Sequence, residues 1–355
     1  EELKSEFYRL ACTFYVSPGN ERTYVVLSGL NENMPAAMQL FEKLLADAQV
    51  NKEAYDNLVG DILKARADAK LNQGQNFSRL MNYAMYGPKS PATNLLTEAE
   101  LASMNPQELV DRIHNQNNYK HRILYYGPSS SKDLLATIDQ YHQVPATLKD
   151  IPAGNEYSYL ETPATKVLVA PYEAKQIYMA QVSNLDKKYD PAIEPTRELY
   201  NEYFGGGMNT IVFQEMREAR GLAYSAWANL AIPTNAKGDY YYMAFIATQN
   251  DKMQKAIEAF DEIINNMPES EKAFDIAKEA LISRLRTERT VKDGVLWSYI
   301  RMRDLGLTEP RGKQIFEKAQ QMTLADVKAA QEKWVKGRKF VHFASPKALN
   351  IMGLS

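Results

Sequence analysis

Residues 203–230 read YFGGGMNTIVFQEMREARGLAYSAWANL, and the fold turns on that stretch. It has the form of a helix end, a glycine turn, a second helix and then a strand. Gly205, Gly206 and Gly207 free the backbone for positive φ, so the triplet is expected to end the first helix abruptly. Asn209 or Thr210 is placed to cap the second helix, whose apolar positions are Ile211, Val212, Phe213 and Met216. Gly221 closes that helix, and Leu222 to Trp227 begins an alternating run of strand type. Arg217 and Tyr224 flank the helix-to-strand turn, seven positions apart. Such a turn can bring both side chains to one side of a cleft.

The stretch resembles the signature in the last domain of insulinase/pitrilysin-type zinc metallopeptidases, a superfamily that also includes mitochondrial processing peptidase. The shared form is a glycine turn, a short helix ending in Arg-Glu, then Gly-Leu-x-Tyr. In that family the Arg and Tyr at this spacing belong to the non-catalytic half. They reach across a closed chamber toward substrate held at the zinc of the other half. The resemblance therefore implies substrate-binding roles for Arg217 and Tyr224, with Gly205, Gly206 and Gly207 forming a turn that lines the chamber. A phenol and a guanidinium are donors suited to the negative charge that develops as a peptide carbonyl is attacked.

The same residues have plainer readings. Arg217 can hydrogen-bond Gln214 one turn back, or serve a domain contact. Tyr224 can be a half-buried strand residue with a satisfied hydroxyl. The glycine triplet suits an anion-binding loop in outline, but G-G-G-M-N-T lacks the Lys-Ser/Thr that a nucleotide loop requires. Arg220 reads as a surface residue.

Outward from this stretch, the second half starts with strands near Tyr157–Glu161, Lys166–Pro171 and Gln176–Ser183, then a helix from Glu194 to Phe204. Asp239–Thr248 is expected to pair back on the strand through Pro233 to Gly238. A helix-rich segment from Asn250 to Lys336 and a last strand, Lys339 to Ala344, follow. In the first half, Tyr8 to Val16 and Thr23 to Gly29 read as strands joined by the turn Ser17-Pro18-Gly19-Asn20. Helices are expected over Asn31–Ala48, Asn51–Leu71, Asn76–Met85, Leu101–His114 and Ser131–His142, with a strand at His121–Gly127. The Pro/Gly-bearing segment from Val144 to Gly154 marks a boundary between domains at 1–150 and 156–355.

An internal repeat supports two related domains. Asn31–Glu42 (NENMPAAMQLFE) recurs as Asn250–Asp261 (NDKMQKAIEAFD) at an offset of 219, and the apolar stripe is reproduced position by position. At nearly the same offset Met104 matches Met322. The second copy carries the segment Glu156 to Leu230 ahead of the shared part, and the first lacks most of it. Cys12 stands in the Tyr224 position. The first repeat is accordingly expected to be incomplete at its N-terminus. The resemblance implies an α+β fold of two metallopeptidase-type (LuxS/processing-peptidase-like) repeats, each an antiparallel-rich sheet covered by helices on one face. It also implies a chain equivalent to part of the third and all of the fourth domain of the long members.

The catalysis of that family needs H-x-x-E-H on a helix, with two histidines binding zinc and the glutamate as general base. The four histidines here are His114, His121, His142 and His342, and no pair has that spacing. No zinc ligands are expected in this chain; they would lie in a catalytic half, in the same polypeptide or a separate subunit. His114 and His121 read as structural or loop residues, and His342 as a hydrogen-bonded structural histidine of a terminal strand. A net charge of −2 gives no basic face for nucleic acid. No apolar run approaches the ~20 residues of a membrane span. One cysteine excludes an internal disulfide framework and fits either cytoplasm or periplasm. The function expected is the non-catalytic half of an insulinase-type peptidase binding peptide at Arg217 and Tyr224. Rival readings are an inactive scaffold of the same superfamily and a peptide-binding module acting alone.

Overall fold

The computed structural model describes residues 2–19 and 22–346. In chain order its elements are α1 (Glu2–Arg9), β1 (Cys12–Pro18), β2 (Thr23–Gly29), α2 (Met34–Ala46), α3 (Lys52–Lys70), α4 (Gln73–Tyr86), α5 (Glu98–Ser103), α6 (Pro106–Asn115) and α7 (Ser131–Tyr141). The second half continues with β3 (Lys166–Val169), β4 (Gln176–Lys188), α8 (Glu194–Tyr200), α9 (Ile211–Phe213), β5 (Ser225–Ala231), β6 (Asp239–Gln249), α10 (Met253–Asn265), α11 (Glu271–Thr287), α12 (Gly294–Asp304), α13 (Arg311–Ala319), α14 (Leu324–Trp334) and β7 (Val341–Ser345). The mixed α+β class expected from the sequence is the one observed. The chain divides into two compact units: residues 1–68 with 95–156, and residues 69–94 with 157–355.

In the first unit β1 and β2 form a two-stranded antiparallel sheet, with Cys12 opposite Gly29. Its core gathers Phe7 of α1, Cys12, and Ala37 and Leu40 of α2, with Phe14 packed 4.9 Å from Phe7 and 5.6 Å from Phe41. The expected strand beginning at Tyr8 is a helix as far as Arg9. Alternation over 8–16 mimics a strand, but Phe7 packs only if the chain before Cys12 is helical. The turn residue Asn20 lies outside the described residues. The helix expected over Leu101–His114 is two helices, because Asn105 accepts from the Gln107 N–H and Pro106 starts a new first turn.

Residues 121–127, a strand by their composition, form none. Their counterpart in the repeat, β7, is held between β3 in parallel and β4 in antiparallel register. Among the described residues of the first unit, the sheet has only β1 and β2, and residues 121–127 pair with neither. Two pairs of elements keep the offset read in the sequence. α2 covers 34–46 and α10 covers 253–265, so both ends keep the offset of 219. The short 3₁₀ turns before them, Asn31–Asn33 and Asn250–Lys252, keep it too.

The second unit is built on a five-stranded sheet of order β3-β7-β4-β6-β5, antiparallel except for the β3–β7 pair. Tyr240, Tyr242, Ala244 and Ile246 of β6 turn one way, onto the main core with Leu199, Phe260, Leu281, Ile315 and Val327 of the covering helices. Tyr241, Met243 and Phe245 turn the other way, where Phe77 and Ala84 of α4 meet Ala180, Val182, Val341 and Phe343. Helices therefore cover both faces, where the resemblance implied one. That is why β6 reads as the near-continuous apolar run YYYMAFIA rather than as a strict alternation. The expected strand at Tyr157–Glu161 is an extended strap instead. Its Leu160 N–H donates to the Met85 carbonyl, at 2.7 Å, and no ladder forms.

A charged knot sits inside the second unit. Glu194, with no solvent exposure, accepts from Arg197 Nε at 3.1 Å, the Tyr240 hydroxyl at 2.6 Å and Arg311 Nη1 at 2.5 Å. Beside it, burial pushes the Glu198 carboxyl up, but Arg197, Arg311 and Arg284 outweigh burial and hold it below the usual range. Removing one member of such a cluster strands the others. Glu194→Gln should cost about 3–5 kcal/mol, read from urea unfolding of the purified chain.

His342 contributes to the acid response of this unit. It lies in β7 as expected, but its Nδ1 is buried without a hydrogen-bond partner, so the structural histidine is not satisfied at that nitrogen. Burial lowers its pKa, with nearby Asp261 pulling the other way; burial in turn raises the Asp261 carboxyl. A lowered histidine pKa means that its contribution to stability is present above the ordinary value of 6.5 and is lost as pH falls. Asp261 acts with opposite sign, but only from its ordinary carboxylate range upward. The melting temperature should therefore begin to fall as pH drops through the ordinary histidine value of 6.5, and His342→Gln should flatten that fall in a thermal scan.

Candidate functional site

The stretch 203–230 lies wholly in the second unit, and its shape begins with a helix end pressed on a strand. α8 widens into a π turn, Asn201–Gly205. Gly205 is buried against β5 so closely that a Cβ there would lie 2.0 Å from the Ala228 carbonyl oxygen. β5 is the edge of its sheet. Asn201 covers that edge by pairing like a strand residue, accepting from the Leu230 N–H at 2.8 Å and donating to the Leu230 carbonyl at 3.1 Å.

The triplet works differently from the sequence expectation. None of Gly205, Gly206 and Gly207 has positive φ; Gly206 sits at −111°. The demand for glycine is spatial at Gly205, where backbone meets backbone, and Gly206 and Gly207 are exposed. Thr210 precedes α9 but does not cap it, because its hydroxyl donates back to the Gly207 carbonyl at 2.7 Å.

α9 continues as a second π turn, Gln214–Ala219, and Met216 faces the core. Gly221 ends it at φ +58°, as expected, with its N–H donating to the Arg217 carbonyl and the Leu222 N–H to the Met216 carbonyl. The Tyr224 N–H then joins the sheet by donating to the Ala247 carbonyl at 3.0 Å. This turn brings Arg217 and Tyr224 together. Arg217 Nη1 donates to the Tyr224 carbonyl at 3.3 Å, and the guanidinium lies 5.7 Å from the Tyr224 ring centroid and 5.1 Å from that of Phe213. Glu218 is 3.7 Å from Arg217 Nε. Gln214 is engaged elsewhere, donating to the Met208 carbonyl.

The pair faces outward: Tyr224 is 71% exposed and the Arg217 side chain 44%. Among the described residues, the Tyr224 hydroxyl and the remaining guanidinium N–H groups form no hydrogen bond. What the arrangement offers is a clasped cation and a phenol with free donors, suited to a peptide carbonyl or carboxylate. Phe213 is the residue that sequence reasoning placed only in the apolar stripe. Its i,i+4 relation to Arg217 was the available signal.

Arg220 is the surface residue expected, and it also acts as a clamp. It donates to Glu262 of α10 at 2.7 Å and to Glu215 at 3.3 Å, and the bond from Arg220 holds the Glu262 carboxyl below its usual range. No group of three or more metal-ligating side chains occurs among the described residues, and no helix there is long and apolar enough to cross a membrane.

Residues 123–281 match the family model described as the peptidase M16 inactive domain. No curated protein matches the sequence. Among solved structures, a peptidase M16 inactive domain from Pseudomonas fluorescens superposes with a TM-score of 0.72 at 18% identity, over 98% of this chain and 83% of that one. The periplasmic protease PqqL from Escherichia coli and the ferredoxin protease FusC, solved with Arabidopsis ferredoxin, each give 0.69 at 14% identity over 98% of this chain. This chain spans 38% of each of those two. At such identities the likeness is one of fold.

The two glycines separate space from conformation. Gly205→Ala should destabilise the chain by more than about 3 kcal/mol, since neither backbone can give way. Gly206→Ala, with open space around it, should stay within about 0.5 kcal/mol in the same denaturant titration.

Proposed function

We propose, from the premise that this chain carries a peptidase M16 inactive domain, that it is the non-catalytic half of an insulinase-type metallopeptidase and binds the peptide substrate through Arg217 and Tyr224. The catalytic half lies in the same longer polypeptide or in a separate subunit and forms the opposite wall of the chamber. The zinc belongs to that half. This chain has no H-x-x-E-H, and its described residues gather no set of three ligands to replace it.

The observation that carries the reading is the clasp at the helix-to-strand turn. An arginine near two rings, bonded to a backbone carbonyl and beside the Glu218 carboxylate, is ordered in advance and keeps N–H groups for a ligand at little cost in side-chain order. Tyr224 sets a second donor beside it. Together they bind the backbone of an extended peptide and offset negative charge that builds on its carbonyl during turnover. Gly205 to Gly207 form the turn that borders this face.

In the complete enzyme, Arg217→Ala should lower kcat/KM for peptide hydrolysis roughly tenfold to a hundredfold, and Tyr224→Phe by about tenfold. The zinc content of the catalytic half should not change. Unaltered kinetics in both variants would remove the site and favour the scaffold reading.

A further inference from the structure

The first unit holds a cluster that the peptide-binding reading does not use. His121, in the irregular segment after α6, and His142, capping α7, are distant in sequence and meet with Nε2 facing Nε2 at 2.8 Å. Their rings are edge to face, with centroids 5.0 Å apart. Each ring is anchored through its other nitrogen. His121 Nδ1 lies 2.7 Å from the Tyr119 carbonyl, and His142 Nδ1 lies 2.6 Å from Glu42 Oε1 on α2. Glu42 is itself oriented by Asn117, which donates to Oε2 at 3.0 Å.

Those anchors fix the tautomers. A carbonyl only accepts, so His121 carries its proton on Nδ1; a carboxylate only accepts, so His142 does the same. In both neutral rings Nε2 is then a bare lone pair, and the two lone pairs point at each other. Such a pairing is repulsive unless a proton or a metal ion stands between them. Imidazoles tied back through Nδ1 to a carboxylate and a carbonyl, with Nε2 atoms converging, are the arrangement proteins use to orient histidine ligands on a metal. Glu42 and His142 are largely shielded, with side chains 19% and 14% exposed, whereas His121 is exposed and leaves room for water ligands.

We infer that His121 and His142 form a two-histidine site for a divalent late transition metal of the zinc class, oriented by Glu42 and completed by water. Imidazole is a preferred donor for such ions. Tetrahedral Zn–N bonds of about 2.0–2.1 Å place two nitrogens about 3.3 Å apart, so a small swing of exposed His121 opens the pair to fit. His114 is no part of it: its Nε2 meets the Ala48 carbonyl. The sequence offered no hint, because neither i,i+4 spacing nor a shared helix links the two histidines. This site stands apart from catalysis, and it does not depend on the Arg217–Tyr224 reading.

The test is a calorimetric titration of the untagged, chelator-treated full chain with Zn²⁺ alone. One zinc per chain with micromolar affinity is expected, together with a rise in melting temperature. His121→Ala and His142→Ala should each weaken binding at least a hundredfold, Glu42→Gln roughly tenfold to a hundredfold, and His114→Ala not at all. In the unaltered protein, the Nε2 resonances of both histidines should shift on adding zinc. No saturable binding up to millimolar zinc, binding that survives both histidine substitutions, or Nε2 signals that report only a shared proton and ignore zinc would overturn the assignment.

Discussion

A helix end driven against the edge of a sheet sets the geometry of the second unit. Only glycine fits where Gly205 meets the Ala228 carbonyl, and Asn201 fills the hydrogen bonds that β5 would otherwise show to water. From that contact the chain runs through α9 and returns to the sheet through Gly221. Arg217 and Tyr224 meet across that turn. Two successive π turns, at 201–205 and 214–219, accompany this fit. Such widened turns shift the register of a helix by a fraction of a turn and recur where function needs an unusual placement.

The two repeats show what neighbours do for the same supersecondary plan. Hairpin, 3₁₀ turn and amphipathic helix are present in both. In the second unit the hairpin is extended by β4, β7 and β3 and becomes a sheet buried on both faces. In the first it stays two strands, with Tyr15 and Val16 exposed. Cys12, in the place of Tyr224, is buried and turns its thiol to the Leu10 carbonyl. The outward phenol is thus a property of the second copy alone.

Much of this was legible in the residues. The repeat offset, the β5–β6 hairpin, the helix closed by Gly221 and the approach of Arg217 to Tyr224 all follow from local chemistry that acts over short stretches of chain. What escaped depends on contacts distant in sequence. Glycine at 205 signals a special site but does not say whether φ or space is the reason, and only the position of Ala228 decides. Residues 121–127 have the composition of β7 but no partner to pair with. The helix at Asn76–Met85 was expected, whereas the sheet it covers was not. His121 and His142 carry no spacing signature, and the fold brings them together through α2, α6 and α7.

The placement of α4 also bears on how the molecule assembles. Residues 69–94 leave the ribosome well before the sheet they cover, since Tyr178, Phe245 and Phe343 around Phe77 are all synthesised much later. Until then an apolar helix face has no resting place, and the first unit is interrupted around it. The two units are therefore not beads closed one after the other during synthesis. Cutting the chain at the Pro/Gly-bearing segment would strip an aromatic socket from its plug, leaving a sheet face open to sticking. One helix early in the chain belongs to a core completed by residues near its end.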